Sequence, residues 1–131
     1  MSAVVDASVV IDFLTQSAPP IDLNEIVRSG RDLHVPAVCD TEVVSAISRW
    51  VRRGGASEEQ GWEALADYVA FPVSRHLHPQ LLGRVYELRA NVSATDASYV
   101  ALAEALEVDL LTTDRALASA VRTHTSVTVV P

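Results

Sequence analysis

The chain contains no lysine. Its ten basic residues are all arginine, set against 17 Asp and Glu, and the formal net charge is −7. Without an ammonium side chain, P-loop nucleotide chemistry, Schiff-base catalysis and phosphoacceptor sites that need a lysine partner are excluded. The acidic balance also speaks against nucleic-acid binding by bulk electrostatics. Cysteine is nearly absent too: the single Cys39 has no intrachain disulfide partner and reads as a small buried hydrophobe, in keeping with a reducing, cytoplasmic setting. Gly and Pro number five and six, too few for a fibrous or low-complexity chain. No basic n-region opens the sequence, Asp6 interrupts the first apolar run, and no stretch approaches the ~20 apolar residues of a membrane helix. What is present is 131 residues, 49% of them hydrophobic, which is enough for one domain over 1–131 with a core of ordinary size.

Periodicity divides the chain into alternating strands and helices. Ser2 to Val5 is a short β-branched run, Ala7 to Thr15 has helical spacing, and Pro19-Pro20 stops it. A short helix over Ile21 to Arg28 closes at Gly30, and Leu33 to Val35 before Pro36 reads as a second strand. Val43, Ile47, Trp50 and Val51 recur at helical spacing until Gly54-Gly55. Ser57, with Glu58, Glu59 and Gln60, caps a helix expected to run through Tyr68, and Val69 to Val73 reads as a strand. Leu81, Leu82, Val85 and Leu88 mark another helix, Ser93 to Glu107 a strong one, and Arg115 to Arg122 the last. Val108 to Thr112 and Ser126 to Val130 are apolar strands. This alternation indicates an α/β fold: a mostly parallel central sheet with helices on both faces.

Ligands of such sheets bind beyond the carboxyl ends of the strands. Asp6 and Asp114 each follow a strand there. Asp96 lies in the first turn of a helix apolar on nearly every side, and Glu42 edges the apolar stripe of its own helix, in line with Ala46, Arg49 and Arg53. Each acid also has a plain structural role open to it: N-capping for Asp6 and Asp114, a capping box with Ser93 for Asp96, and simple solvation for Glu42.

The segments around these acids are Val-Val-Asp-Ala-Ser-Val-Val-Ile-Asp at 4–12, Val-Pro-Ala-Val-Cys-Asp-Thr-Glu-Val-Val-Ser-Ala at 35–46, Ala-Thr-Asp-Ala-Ser-Tyr-Val-Ala-Leu-Ala-Glu at 94–104 and Leu-Leu-Thr-Thr-Asp-Arg-Ala-Leu-Ala at 110–118. In this order and spacing the chain resembles the PIN-domain family, and within it the VapC-type ribonuclease toxins of toxin–antitoxin pairs. The resemblance implies a three-layer α/β/α fold. It also implies Mg²⁺ or Mn²⁺ held by Asp6, Glu42, Asp96 and Asp114, with Thr112 and Ser8 as supporting hydroxyls. It further implies RNA phosphodiester hydrolysis, a cognate antitoxin and a homodimer. The chain departs from the family at Thr95, where a larger residue is common, and over Arg115 to Ala118, which offers no further acid or amide.

An all-carboxylate set suits Mg²⁺ or Mn²⁺ and not Zn²⁺. Two bound divalent ions would bring the formal charge to about −3, which weakens the electrostatic objection near the site. Arg49 and Arg53, one turn apart on the Glu42 stripe with Arg52 beside them, are candidate phosphate contacts. His34, His76 and His78 lack a third partner at ligand spacing and are expected to be ordinary surface or core residues. Trp50, Trp62, Tyr68 and Phe71 fall on apolar stripes and are expected in the core or an interface. Two other functions stay open. One is a catalytically silent binding module of the same fold. The other is a haloacid-dehalogenase-like phosphatase, against which stand the missing second acid two residues after Asp6 and the absent lysine.

Overall fold

The computed structural model describes residues 2–77 and 79–131. The first strand, β1 (Ser2–Val5), has Ala3, Val4 and Val5 fully buried, as a central parallel strand covered on both faces requires. It pairs in parallel with β2 (Asp32–Pro36) on one side and with β4 (Asp109–Leu111) on the other. The edge strands are β3 (Val73–His76) and β5 (Val129–Val130), so the all-parallel order is β3-β2-β1-β4-β5. The helices are α1 (Ala7–Thr15), α2 (Leu23–Arg28), α3 (Val38–Arg52), α4 (Glu58–Ala70), α5 (Leu82–Glu87), α6 (Ala94–Leu106) and α7 (Arg115–His124), with a 3-10 turn on either side of α5.

Right-handed crossovers between parallel strands put α1 to α4, which carry the chain from β1 out to β3, on one face. They put α5 to α7, which return it through β4 to β5, on the other. The packing agrees: α1 meets α3 and α4, while α6 meets α5 and lies across β1, β2 and β4. Strand order therefore reverses between β1 and β4, and at their carboxyl ends a crevice opens.

Local chemistry sets the helix ends. A capping box formed by Ser57 and Gln60 starts α4, and Ser93 Oγ accepts the Asp96 N–H at 3.1 Å to start α6. Gly54, at φ 80°, turns the chain away after α3. In α6 every residue from Ala97 to Ala103 is buried, the all-round burial expected of that segment. Cys39 is also fully buried, and burial raises the pKa of its thiol, which leaves it unreactive.

One expected strand is displaced. Val69 and Ala70 complete α4, and the strand begins at Val73. Buried Tyr68 anchors the last helical turn by donating its hydroxyl to Asp40 at 2.6 Å, and Pro72, with no N–H to give, falls in the break between the elements. The closing run from Ser126 pairs only over Val129–Val130, because its one neighbour, β4, is three residues long. No helix among the described residues is long and apolar enough to cross a membrane.

Helices α3 and α4 approach closely at buried Gly61, where an added methyl group would sit 2.8 Å from Val51 Cγ2. Gly61→Ala gains about 1 kcal/mol of helix propensity, but the overpacking costs more, typically 1–3 kcal/mol. We expect a net loss of stability in urea titration, not the gain that propensity alone implies.

Candidate active site

Asp6 closes β1 at the crevice. Its N–H donates to the Leu111 carbonyl at 2.8 Å, which extends the β1–β4 pairing by one residue. The residue occupies the N-cap position of α1, yet its side chain caps nothing. The carboxylate turns instead toward two hydroxyls: Ser8 Oγ donates to Oδ2 at 2.6 Å and Thr112 Oγ1 donates to the same oxygen at 2.8 Å. Thr112 Oγ1 in turn accepts the Asp114 N–H at 3.0 Å, and Ser8 Oγ accepts the Thr113 N–H at 3.2 Å. Asp6 is only 5% exposed, and a buried carboxylate needs such donors. No donor among the described residues reaches its other oxygen, Oδ1.

Glu42 is half-buried and accepts the hydroxyl of Tyr99 at 2.5 Å. This bond joins α3 to α6, helices on opposite faces of the sheet. Tyr99 is fully enclosed, and burial first, then Cys39 and Glu42 nearby, keeps its phenol protonated and available as a donor. Ser93 accepts the Asp96 N–H and its hydroxyl also acts on the Asp96 carboxyl, but no capping-box bond from the Ser93 backbone is formed, so the capping box is half-formed. Asp114 is exposed and caps α7, with Oδ1 accepting the Leu117 N–H at 3.1 Å. Of the structural roles open to these acids, capping accounts for Asp114, does not account for Asp6, and does not engage the Asp96 carboxylate in a full capping box.

The acids act on one another electrostatically. Burial foremost, and then the charges of Asp6 and Asp96, raise the pKa of Glu42. Burial, followed by the charges of Asp6 and Asp114, raises that of Asp96. Among the described residues, however, no three His, Cys, Asp or Glu side chains, as they stand, are gathered closely enough to hold a metal ion. The acids thus rim an open crevice. A carboxylate-only donor set with one oxygen of Asp6 unengaged fits a hard divalent ion that retains part of its water shell.

The sequence matches the PIN domain family over residues 3–122. This chain belongs to that family. Among PIN relatives, "VapC ribonuclease Mb0985" of Mycobacterium bovis is 38% identical over 98% of both chains. "Ribonuclease VapC3" of Mycobacterium tuberculosis is 37% identical over 89% of this chain and 85% of its own. Two crystal structures share the PIN fold. PAE2754 from Pyrobaculum aerophilum has a TM-score of 0.72 at 21% identity, covering 98% of this chain and 83% of that one. The other, VapBC2 from Rickettsia felis bound to a DNA fragment from its promoter, has a TM-score of 0.74 at 11% identity over 99% and 98%.

Other expected positions fall on both sides of this PIN crevice or away from it. Arg49 is exposed and lines a groove with Glu42 and Thr95; a second groove, shared by Arg49, Trp50, Arg53 and Gly55, continues along α3. Arg52 lies apart, between α3 and α4 beside Trp62. His34 and His76 hydrogen-bond to each other at 2.9 Å across β2 and β3; His78 lies outside the described residues. Tyr68 is buried, Trp50 and Phe71 pack partly against the core, and Trp62 is 66% exposed, which leaves it only a surface role. Two polar partners escaped the sequence reading. One is Tyr99, signalled by a lone aromatic hydroxyl in an alanine-rich helix. The other is Asp12, which accepts Thr113 Oγ1 at 3.1 Å and helps hold the loop after β4.

Thr112→Val removes one donor from Asp6 and strands the Asp114 N–H. We expect a loss of about 1–3 kcal/mol in denaturant titration. A raised folded-state pKa means that ionising Glu42 and Asp96 costs stability. That cost is absent below their unfolded values near about 4, grows as pH rises through the folded pKa, and is then constant. In chelator, therefore, Asp96→Asn gains in melting temperature over the native protein at about pH 7 and loses that advantage on acidification to about pH 4. His34, whose pKa burial lowers, destabilises both proteins alike on acidification.

Proposed function

We propose that this chain is a divalent-cation-dependent endoribonuclease and the toxin of a toxin–antitoxin pair. The observation that carries the reading is the crevice between β1 and β4: Asp6, Glu42, Asp96 and Asp114, the positions matching the family acids, stand around it, with Asp6 fixed through one oxygen only. Relatives at 38% and 37% identity, covering most of the chain, are named ribonucleases, and a protein of the same fold was crystallised as a VapBC complex. Asp6, Glu42, Asp96 and Asp114 would hold Mg²⁺ or Mn²⁺. When bound, such an ion supplies Lewis acidity toward the phosphodiester and a more acidic attacking water.

The chain's own groups do the rest. Ser8 and Thr112 fix the rotamer of Asp6 through one oxygen, so that the carboxylate needs no ordering at each turnover. Tyr99 holds Glu42 at the rim. Arg49 and Arg53, exposed along α3, are suited to bidentate contacts with RNA phosphates beside Glu42. An antitoxin and a second copy of the chain belong to the same reading as partners, and Val44 and Trp62, 49% and 66% exposed, offer apolar surface to either. Intact acids at all four positions weigh against a silent binding module, and the missing lysine weighs against a dehalogenase-like phosphatase.

Mn²⁺ or Mg²⁺ should raise the melting temperature at neutral pH, and Asp96→Asn should reduce that gain. A labelled RNA should be cut in Mg²⁺, and cutting should disappear with chelator or in Asp6→Ala. A native protein that neither responds to divalent ions nor cuts RNA would sink the proposal; a metal response without cutting would favour the silent module.

A further inference from the structure

We infer that the groove between the end of β4 and α7 is a second phosphate-binding arm for RNA, held by Arg115 and Arg122. The inference rests on the ribonuclease reading and extends it to a surface on the far side of the acids from Arg49 and Arg53.

The groove, about 540 Å³, runs from Thr112 and Asp114 at the crevice along Arg115, Ala118 and Arg122. The two arginines are seven residues apart on α7, which brings them to within about 20° of the same helix face and ~10.5 Å apart along the axis. Among the described residues, three other arginines are engaged by carboxylates: Arg31 by Asp109, Arg75 by Asp40 and Arg84 by Glu104. Among the described residues, no Asp or Glu side chain engages Arg115 or Arg122. Among the described residues, the Arg122 guanidinium makes one hydrogen bond, a long one of 3.3 Å to the main-chain oxygen of Pro131, which also lines the groove. Both residues are exposed, so a phosphate can engage them without a large desolvation cost.

Crossover handedness puts α3 and α7 on opposite faces of the sheet. Arg49 and Arg53 therefore approach the acids from one side, and Arg115 and Arg122 from the other. An RNA strand laid over the crevice would meet guanidinium groups before and after its central phosphate. A chain of charge −7 cannot attract RNA by its overall field, so local pairs of unengaged arginines at both ends of the site are the arrangement that would make binding possible.

The test is binding of bulk tRNA in chelator, followed by fluorescence polarisation across a salt series. Arg115→Gln combined with Arg122→Gln should weaken binding on the order of 10-fold at low salt and lower the log–log salt slope by about 1.4–1.8, the value for two lost phosphate contacts. The control, Arg28→Gln with Arg89→Gln, changes the formal charge equally at arginines outside both grooves and should leave affinity within about twofold. An unchanged affinity in the groove variant overturns the inference, as does an equal loss in the control, a loss without a change of slope, or a native protein that fails to bind tRNA at low salt. The Mn²⁺ melting gain, measured on the same variants, separates the two proposals. If it persists while the groove variant binds normally, only the second arm is lost; if the native protein shows none, the metal-dependent reading itself fails.

Discussion

Parallel pairing of β1 with β4 aligns Val5 with Leu111, and one further hydrogen bond, from the Asp6 N–H to the Leu111 carbonyl, carries that alignment past the end of the strand. Two loops that are remote in sequence are thereby locked side by side. Thr112 follows directly and can donate to Asp6 while accepting from Asp114. Because strand order reverses at this pair, the helices that leave it diverge to opposite faces, and the crevice they leave cannot be filled by either. The juxtaposition of Asp6 with Thr112 and Asp114 follows from this one register.

The rim is built to hold charge that the fold itself does not need. Asp6 is buried but satisfied, with its donors gathered on one oxygen. Glu42 is tied across the sheet to Tyr99, and both Glu42 and Asp96 are pushed toward protonation by burial and by the neighbouring carboxylates. Ionising Glu42 and Asp96 in this setting costs stability.

Arginine usage follows the same logic in reverse. Arg75 and Arg84 are committed to carboxylates at 2.8 Å, Arg84 with a second bond to Glu104 at 3.0 Å. Among the described residues, no Asp or Glu side chain engages Arg49, Arg53, Arg115 or Arg122, which line grooves along α3 and α7. With an overall charge that repels polyanions, the distribution of the few cations matters more than their number.

The sequence by itself determined the alternation of strands and helices, the buried character of α6 and Cys39, and the acids and arginines available for chemistry, because periodicity and residue type are local properties. It misplaced the strand after α4, since the apolar run Val69 to Val73 has no period that distinguishes a helix end from a strand; the Tyr68 bond to Asp40, 28 residues away, settled that boundary. It also left capping and site roles indistinguishable for Asp6, Asp96 and Asp114, because a residue at an N-cap position looks the same whichever way its side chain turns. Only the tertiary structure turned Asp6 toward Thr112, 106 residues away, and joined Glu42 to Tyr99 across the sheet. Those choices depend on donors supplied by distant segments, and distance in space is what a linear pattern does not carry.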